Sequence, residues 1–256
     1  MLEVQTYFLS ERGGRSRNED ACGYWTSDTA CCWTVSDGAG GHGSGDIAAR
    51  LVVDTILTRF STTPSAGLHD AAALLQAANE AVVSEKGSGS TADDMHATAV
   101  LLLIDRSGGT AVWGHVGDTR IYLFRHGQVV YQTRDHSVVQ NLIDAGYGTA
   151  DMIRTHPQRG LLTSAIGSSE AITLSVAHEA IPLFSGDVFL LCTDGWWEHV
   201  AEAEMEELLV DASGAAEWLG LMRRLIRRRA PGDNDNYTAL CVTVSDRVPD
   251  ETTIIL

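Results

Sequence analysis

The chain has 256 residues and a formal net charge of −16. This acidity argues against general binding to nucleic acid or to an anionic membrane, because both prefer a basic surface. Hydrophobic residues make up 44% of the chain, which is ample for a core, and no repeat or low-complexity tract interrupts it. The one Ser- and Gly-rich patch, residues 85–94, is about the length of a loop, so we expect a single domain over residues 1–256.

Targeting signals and cysteine usage point to the cytoplasm. No apolar run approaches the roughly 18 residues of a membrane span, and the N-terminus lacks a basic region followed by a long apolar one. The number of cysteines is odd and no C-x-x-C pair occurs, which favours buried free thiols over disulfides or a zinc site. The cysteines are Cys22, Cys31, Cys32, Cys192 and Cys241.

Hydrophobic periodicity predicts the elements in chain order. The first strand is predicted to follow residues 18–20, and a second apolar run ends at Val35. Apolar residues at helical spacing then predict a pair of helices, and a block of strands follows. A second helix pair precedes the last strand. The predicted helices are residues 44–60, 68–83, 200–212 and 215–230; the later strands are 99–104, 110–117, 120–124, 128–133, 172–177, 187–193 and 238–244.

The clustering of these elements predicts the fold class. Strands and helices come in groups instead of alternating strictly, which favours an α+β protein with antiparallel sheets covered by helices. The strand runs are continuously apolar, so we expect both faces of each sheet to be covered.

The stretch VSDGAGGHGSG, residues 35–45, combines one acid, one histidine and five glycines in eleven positions. Glycine at this density predicts a loop whose backbone comes close to another group or adopts positive φ. Asp37 is the acid that this loop would hold.

Acidic residues recur beside glycine or asparagine at the ends of predicted strands. Each one alone is more typical of a turn. Together they predict convergent carboxylates that would repel one another unless a divalent cation neutralises them, and all-oxygen ligands suit Mg²⁺ or Mn²⁺ better than zinc. These sites are Asn18–Asp20, Asp37, Asp118, Asp194 and Asp233–Asn236.

Two arginines lie just before the first acidic pair. Arg15 and Arg17 precede N-E-D, and a guanidinium group matches phosphate oxygens in a bidentate manner. Either one is also compatible with an ordinary surface position. Two metal ions and an arginine together would suit phosphoryl transfer.

The motifs occur in a specific order along nearly the whole chain. R-x-x-N-E-D is followed by D-G-x-G-G-H, HATAVLLLI, G-D-T-R, D-H-S, HPQRGLLTSAIG, CTDG and DNDNYTAL. This order resembles the metal-dependent serine/threonine protein phosphatases of the 2C type, the PPM family, especially the bacterial stand-alone form. The resemblance implies a four-layer α-β-β-α sandwich of two antiparallel sheets flanked by helix pairs.

The resemblance also implies a role for each acidic site. Asp37 would bridge two Mn²⁺ or Mg²⁺ ions and the Gly38 carbonyl would ligate one of them. Asp194 and Asp235 would complete the shell of the first ion. Of Glu19 and Asp20, one would serve the second ion directly and the other through water. Asp118 would share a third, weaker ion with Asp194, as in bacterial relatives.

The implied reaction is hydrolysis of phosphoserine or phosphothreonine by direct attack of a metal-bridging water. Arg15 matches the phosphate-binding arginine of the family better than Arg17 does. Animal members carry a histidine, proposed as the general acid, at the position of Ala39; here His42 is the nearby candidate. His42 is equally compatible with capping or orienting the glycine loop.

Three further segments have two interpretations each. Trp196 and Trp197 are compatible with a substrate wall or with core packing. Residues 140–163 resemble the family's flap, which would influence substrate choice. The segment MRRLIRRR suggests nucleic acid at first sight, but basic residues at a helix C-terminus favour the helix dipole, so we expect no nucleic-acid binding.

Two alternatives to a protein phosphatase stay open at this point. One is a catalytically silent relative that binds phosphoproteins as a regulator, and the other is a metal-dependent hydrolase of small phosphoesters. For the phosphatase we expect phosphoprotein substrates, a cognate serine/threonine kinase as partner, a monomeric state and no membrane contact.

Overall fold

The computed structural model of the chain describes residues 2–40, 44–87, 94–230 and 232–246. Within these ranges the strands are β1 (Leu2–Glu11), β2 (Asp20–Thr26), β3 (Ala30–Ala39), β4 (His96–Ala97), β5 (Ala99–Asp105), β6 (Thr110–Val116), β7 (Arg120–Arg125), β8 (Gln128–Gln132), β9 (Ser175–Val176), β10 (Ile181–Pro182), β11 (Val188–Cys192) and β12 (Tyr237–Asp246). The helices are α1 (Gly45–Thr62), α2 (Leu68–Lys86), α3 (Val138–Asp144), α4 (Met152–Thr155), α5 (Asp194–Trp197), α6 (Glu202–Asp211) and α7 (Ala215–Arg229).

The strands form two antiparallel sheets. The first sheet has the order β1-β12-β11-β7-β8 and the second has β10-β6-β5-β3-β2, with β4 beside β3 and β9 beside β6. The predicted helix pairs are confirmed as α1 with α2 and α6 with α7. The expected α+β class is therefore confirmed.

Three apolar layers separate the sheets and helices. In β5, Leu102 packs between the two sheets, whereas its neighbour Leu101 packs beneath α1 and α2. In β12, Leu240 packs between the sheets, whereas Cys241 packs with the residues of α6 and α7. Side chains alternate between the faces of a strand, so continuously apolar strands serve two layers at once. This confirms the four-layer α-β-β-α sandwich.

The prediction for the first strand is wrong. The chain begins with β1, which pairs with β12 over ten residues from Leu2↔Asp246 to Glu11↔Tyr237. Its side chains alternate between half-buried and exposed along most of its length. This period of two was a usable signal for an edge strand.

The strand predicted at residues 172–177 is mostly absent. Only Ser175 and Val176 pair, with β6. The backbone N–H of Thr173 donates to Ser164 Oγ, and Ser164 Oγ donates back to the Thr173 carbonyl. This exchange satisfies the backbone of Thr173 locally, so apolar composition alone did not extend the sheet.

Two further expectations concern thiols and membranes. Cys22 is half-buried, the other four cysteines are buried, and all five are free thiols, as predicted. In the described part of the chain, no helix has both the length and the apolar character needed to cross a membrane.

Replacing Leu102 with alanine tests the layer between the sheets. Leu102 is fully buried, so Leu102→Ala is expected to lower the free energy of unfolding by about 2–5 kcal/mol through lost burial and a residual cavity. Val210→Ala serves as a control, because Val210 is 74% exposed on α6, and its effect should stay within about 0.5 kcal/mol. Urea unfolding measures both free energies. Equal effects of the two substitutions would contradict the assignment of Leu102 to the layer between the sheets.

Candidate metal and phosphate site

Strand register brings the first two carboxylates together. Asp20 opens β2 and Asp37 lies near the end of β3, and the two residues are Cα partners in this antiparallel pair. Directly opposed residues project from the same face of a sheet with Cβ atoms about 4.5–5.5 Å apart. The N-E-D and D-G motifs therefore meet through an ordinary β-ladder.

The other carboxylates reach the same end of the sandwich from neighbouring strands. Asp118 lies in the turn between β6 and β7, Asp194 begins α5 just after β11, and Asp235 lies in the loop before β12. In the first sheet, Cys192 at the end of β11 is opposite Arg120 at the start of β7 and Ala239 near the start of β12. Antiparallel pairing thus places the start of one strand beside the end of the next.

These carboxylates affect one another's ionisation. Burial raises the pKa of Asp37 well above its ordinary value, and burial also raises the pKa of Asp20 and of Asp194 to about 7. The neighbours whose negative charge raises the pKa of Asp37 further are Asp20, Asp194, Asp118 and Asp235. Burial is likewise the largest cause of the raised pKa of Asp118. A site of this kind favours a cation or a proton.

Glycines of the predicted loop allow a close approach of backbone to carboxylate. A Cβ atom placed on Gly45 would lie 2.5 Å from Glu19 Oε2 and 2.7 Å from the Gly38 carbonyl oxygen. A Cβ atom on Gly38 would lie 2.0 Å from the Gly45 carbonyl oxygen. The expectation that these glycines serve close backbone approach is confirmed at both positions. The two distances from Gly45 also show that Glu19 Oε2 and the Gly38 carbonyl oxygen converge on one point beside Gly45.

Three polar side chains that we did not single out hold the acidic residues in place. Thr98 Oγ1 accepts from the Asp37 N–H at 3.1 Å, and Thr193 Oγ1 donates to Asp20 Oδ2 at 3.0 Å. Asn236 Oδ1 accepts from the Glu19 N–H at 2.7 Å. The motifs HATAVLLLI, CTDG and DNDNYTAL contain these three residues, but nothing in the sequence alone separates such supports from the ligands beside them.

Asn236 also organises the arginine loop. Its Nδ2 donates to the carbonyls of Arg12 and Arg17 at 2.7 and 2.8 Å. The side chain of Arg15 meanwhile donates from Nη2 to Asp235 Oδ2 at 2.8 Å, and both side chains are about half exposed. Of the two arginines considered, Arg15 is thus the one that forms an ion pair with the acidic cluster.

An open cleft of about 490 Å³ lies beside this cluster. It is lined by Arg15, Pro157, Arg159, Gly160, Asp194, Glu198, His199, Asp233, Asn234 and Asp235. Arg159, which we also did not single out, forms an ion pair with Glu198 at 2.5 Å, and its side chain is 41% exposed. The cleft therefore has two arginines and four acidic residues in its wall, and its mouth is open to solvent.

Residues 140–163, predicted as a flap, are partly helical and contact the segment around the turn that carries Asp194. Residues 140–163 contain most of α3, all of α4 and the irregular segment with Arg159. Arg154 Nε donates to the Trp197 carbonyl at 2.9 Å, and its Nη2 contacts both carboxylate oxygens of Glu202. Arg159 binds Glu198, one residue after α5. The flap thus contacts α5 and its flanks through two arginines.

The two tryptophans belong to the core. Trp196 and Trp197 are 0% and 2% exposed and pack in the layer between the first sheet and α6 and α7. Trp197 Nε1 donates to the Asp118 carbonyl at 2.9 Å, and its ring lies 3.5 Å from the guanidinium carbon of the buried Arg120. Core packing is therefore correct, and the substrate-wall interpretation is wrong. His42 lies outside the described residues, so its role stays a prediction.

The donor chemistry of the cluster fits a divalent cation. Within the described ranges, Asp20 Oδ1 and Asp194 Oδ1 are buried without a hydrogen-bond partner. No group of three or more His, Cys, Asp or Glu side chains described by the structure is already arranged around a single metal position. Asp20 and Asp235 are instead bonded to Thr193 and Arg15. Binding a cation would require these side chains to exchange protein partners for the ion.

Comparison with known proteins agrees with the fold. The chain is 30% identical over 241 residues to the serine/threonine protein phosphatase PstP of Mycobacterium tuberculosis, a match that covers 93% of this chain and 44% of PstP. It thus spans less than half the length of that curated relative. The PstP catalytic domain solved in complex with two manganese ions matches with a TM-score of 0.80 and 28% identity, covering 96% of this chain and all of that one.

Another solved relative is PppA, described as a key regulatory component of the type VI secretion system in Pseudomonas aeruginosa. It is 33% identical with a TM-score of 0.74, covering 94% of this chain and 97% of that one. A profile of the protein phosphatase 2C family matches residues 10–229. The chain belongs to the protein phosphatase 2C family.

Adding one methyl group at Gly45 tests the close approach around Glu19. Gly45→Ala is expected to displace Glu19 Oε2 or the Gly38 carbonyl and to weaken Mn²⁺ binding at least about tenfold, since both oxygens lie within 3 Å of the new methyl group. Titration calorimetry with Mn²⁺ measures the affinity. Gly220→Ala is the matched control, because no atom lies within 4 Å of its added Cβ. Unchanged affinity in Gly45→Ala would contradict the geometry.

The raised pKa values predict how stability depends on pH in the presence of a chelator. Folding raises the pKa of Asp20 and Asp194 from 3.8 to about 7, so the folded state binds more protons between those pH values. Stability should therefore fall as pH rises through this window. Thermal melting in EDTA from pH 4.5 to pH 7.5 measures the fall. Asp20→Asn should reduce it, whereas Asp54→Asn, on the exposed face of α1, should not.

Proposed function

We propose that this chain is a Mn²⁺- or Mg²⁺-dependent protein phosphatase that hydrolyses phosphoserine and phosphothreonine. The observation that carries the proposal is the coupled carboxylate cluster around Asp37, with Asp20 Oδ1 and Asp194 Oδ1 buried and unpartnered among the described residues, at an open cleft that also contains Arg15. The names of the relatives, serine/threonine phosphatases, and the two manganese ions of PstP support it.

The proposed ligand set follows the positions of the oxygens. Asp37 would bridge two ions, with the Gly38 carbonyl and Glu19 on one side of it, where Glu19 Oε2 and the Gly38 oxygen converge. Asp194 and Asp235 would contact the ion on the other side. Asp20, held by Thr193, would support the second ion, and Asp118 would share a third, weaker ion with Asp194.

The chain's own residues would bind and orient the phosphate. When bound, divalent cations supply an activated water and withdraw charge from the phosphoryl oxygens. Arg15 would exchange its bond to Asp235 for the phosphate, whose oxygens match the guanidinium fork. Asp235 would thereby be released toward the cation. His42 remains the proposed proton donor for the departing serine or threonine oxygen.

The shape of the cleft favours a protein substrate over a small phosphoester. The cleft is open, and the flap segment beside it has an exposed apolar residue, Leu161, at 50% exposure, next to Gly160 at the cleft wall. A pocket for a small ligand would bury most of it, whereas a phosphorylated side chain on a polypeptide needs an open mouth. A silent phosphoprotein-binding module would not require the intact acidic set that this chain retains.

The biological setting is part of the same proposal. We expect phosphoproteins as substrates and a cognate serine/threonine kinase that opposes the enzyme. We further expect a monomer in the cytoplasm and one catalytic domain with the flap at residues 140–163.

Loss of the central carboxylates tests the chemistry. Wild-type protein with Mn²⁺ is expected to hydrolyse p-nitrophenyl phosphate and a phosphothreonine peptide, and EDTA should abolish both activities. Asp37→Asn and Asp194→Asn are each expected to lower kcat by about 10²-fold or more, because each removes a negative charge that would hold the cations. Asp54→Asn is the control. Full activity in excess EDTA would overturn the proposal, and phosphopeptide binding without turnover would favour the silent regulator.

Separate substitutions distinguish the two cleft arginines. Arg15→Ala should lower kcat/KM about tenfold to a hundredfold for both p-nitrophenyl phosphate and a phosphopeptide, because both present the same phosphate. Arg159→Ala should mainly raise KM for the phosphopeptide, because Arg159 belongs to the flap side of the cleft. Steady-state kinetics on the two substrates separates these outcomes. Equal losses in both variants would contradict the division of roles.

A further inference from the structure

Basic residues are concentrated in two segments that meet beside the cleft. Residues 12–17 and 223–229 contain three and five arginines, which together are eight of the chain's 18 lysines and arginines. The net charge of the whole chain is −16. A local excess of positive charge on such an acidic protein is not explained by solubility.

Several of these arginines have structural partners. Arg223 and Arg227 both bind Glu11, and Arg229 binds Glu204. These contacts fasten α7 to β1 and to α6. Each of these contacts lies on one side of α7, and none of them involves its outer face.

Four exposed arginines of these two segments form no ion pair with the residues that the structure describes. They are Arg12, Arg17, Arg224 and Arg228. Arg224 and Arg228 are four residues apart on α7 and so share one face of the helix. The helix dipole favours cations only within the last turn, and Arg224 lies more than one turn before the end of α7 at Arg229. The dipole therefore accounts for Arg228, in the last turn, but not for Arg224. We name Arg12, Arg224, Arg227 and Arg228 the arginine surface.

The arginine surface is continuous with the candidate active site. Gly14 N donates to the Asn234 carbonyl at 2.9 Å, which joins the loop of Arg12 and Arg15 to the loop of Asp235. At the end of α7, Arg229 Nη1 donates to the carbonyl of His199, a residue of the cleft wall. The end of α7 therefore lies beside the cleft wall.

A depression in the arginine surface could receive acidic side chains. It measures about 380 Å³ and lies between Arg12 and Arg227, with Gly13, Gly14 and Asn234 in its wall. Asn234 also lines the active-site cleft, so the two cavities share a wall. Glu11 borders the depression as well, but it is bound to Arg223 and Arg227.

We infer that the arginine surface docks an acidic segment of the phosphoprotein substrate, next in sequence to the phosphorylated serine or threonine. This inference rests on the proposed function and adds a substrate class to it. The rest of the chain would repel an acidic protein at long range, so a single basic surface beside the cleft would orient the approach. Such docking lowers KM without contacting the phosphoryl group.

The experiment compares phosphothreonine peptides that differ only in flanking charge. One peptide carries four glutamates on the N-terminal side of the phosphothreonine, a second carries them on the C-terminal side, and a third has glutamines instead. Wild-type enzyme is expected to show a kcat/KM about tenfold higher for one acidic peptide at low salt, mostly through KM. The preference should fall at high ionic strength, because exposed charges are screened.

Charge reversal locates the preference. The double variant Arg224→Glu/Arg228→Glu should lose it, and Arg224→Gln/Arg228→Gln should reduce it, while kcat for p-nitrophenyl phosphate stays within about twofold. The matched control is Arg59→Glu, which reverses an exposed arginine on α1, against the second sheet. Thermal melting establishes that each variant is folded.

Each remaining outcome separates the docking inference from the proposed function. Turnover of p-nitrophenyl phosphate without any acidic preference, or a preference that survives the double reversal, overturns the docking inference and leaves the phosphatase intact. A labelled oligonucleotide that binds through Arg224 and Arg228 while the acidic peptides do not would also overturn it. If no substrate is turned over, fluorescence anisotropy with the unphosphorylated acidic peptides still tests the surface: binding that the reversal abolishes supports docking although the phosphatase proposal fails.

Discussion

Crowding of carboxylates at one end of the sandwich is the constraint around which the other features are arranged. Asp20 and Asp37 face each other across a strand pair, and the pKa of Asp37 is raised well above its ordinary value by burial and by its acidic neighbours. Like charges at such positions oppose folding unless the backbone holds them and a cation or protons compensate them. The strand ends hold the backbone of these residues in place. Thr98 and Asn236 fix it further, because they accept hydrogen bonds from the backbone N–H groups of Asp37 and Glu19.

Arginine side chains lie beside the acidic end of the sandwich. Arg15 contacts Asp235 at the cleft, and Arg159 contacts Glu198 in the same cleft. The arginine surface extends this pattern outward from the cleft along α7. Under the proposed docking, the arginines beside the cleft would attract a phosphorylated, acidic partner, while the net negative charge of the whole chain would repel such a partner elsewhere.

The sequence predicted the strands, the helix pairs and the acidic positions well, because each has a local signal. Apolar runs define β5 and β12, and Asp-Gly or Asn-Asp at a strand end locates a carboxylate without its three-dimensional neighbours. Contacts between residues that are distant in sequence have no such local signal and could not be predicted in the same way. Asn236 bonds to Glu19 across 217 positions, and Arg159 reaches Glu198 from a flap with little strand signal. The strand prediction for residues 172–177 was mostly wrong because the Ser164 side chain takes the backbone hydrogen bonds of Thr173 in place of the sheet.

The attachment of the flap has a consequence for how this protein can diversify. Two arginines of residues 140–163 bind side chains and backbone within eight residues of Asp194. Arg154 binds the Trp197 carbonyl and Glu202, and Arg159 binds Glu198. If residues 140–163 act as the proposed flap, a mutation that reshapes them for a new target would therefore also disturb the turn that holds an acidic residue of the cluster. Selection for new targets and selection for an intact acidic centre act on the same contacts. Arg224 and Arg228 on α7 have no contact with that turn, so recognition at the proposed docking surface would change at a lower cost to the acidic centre.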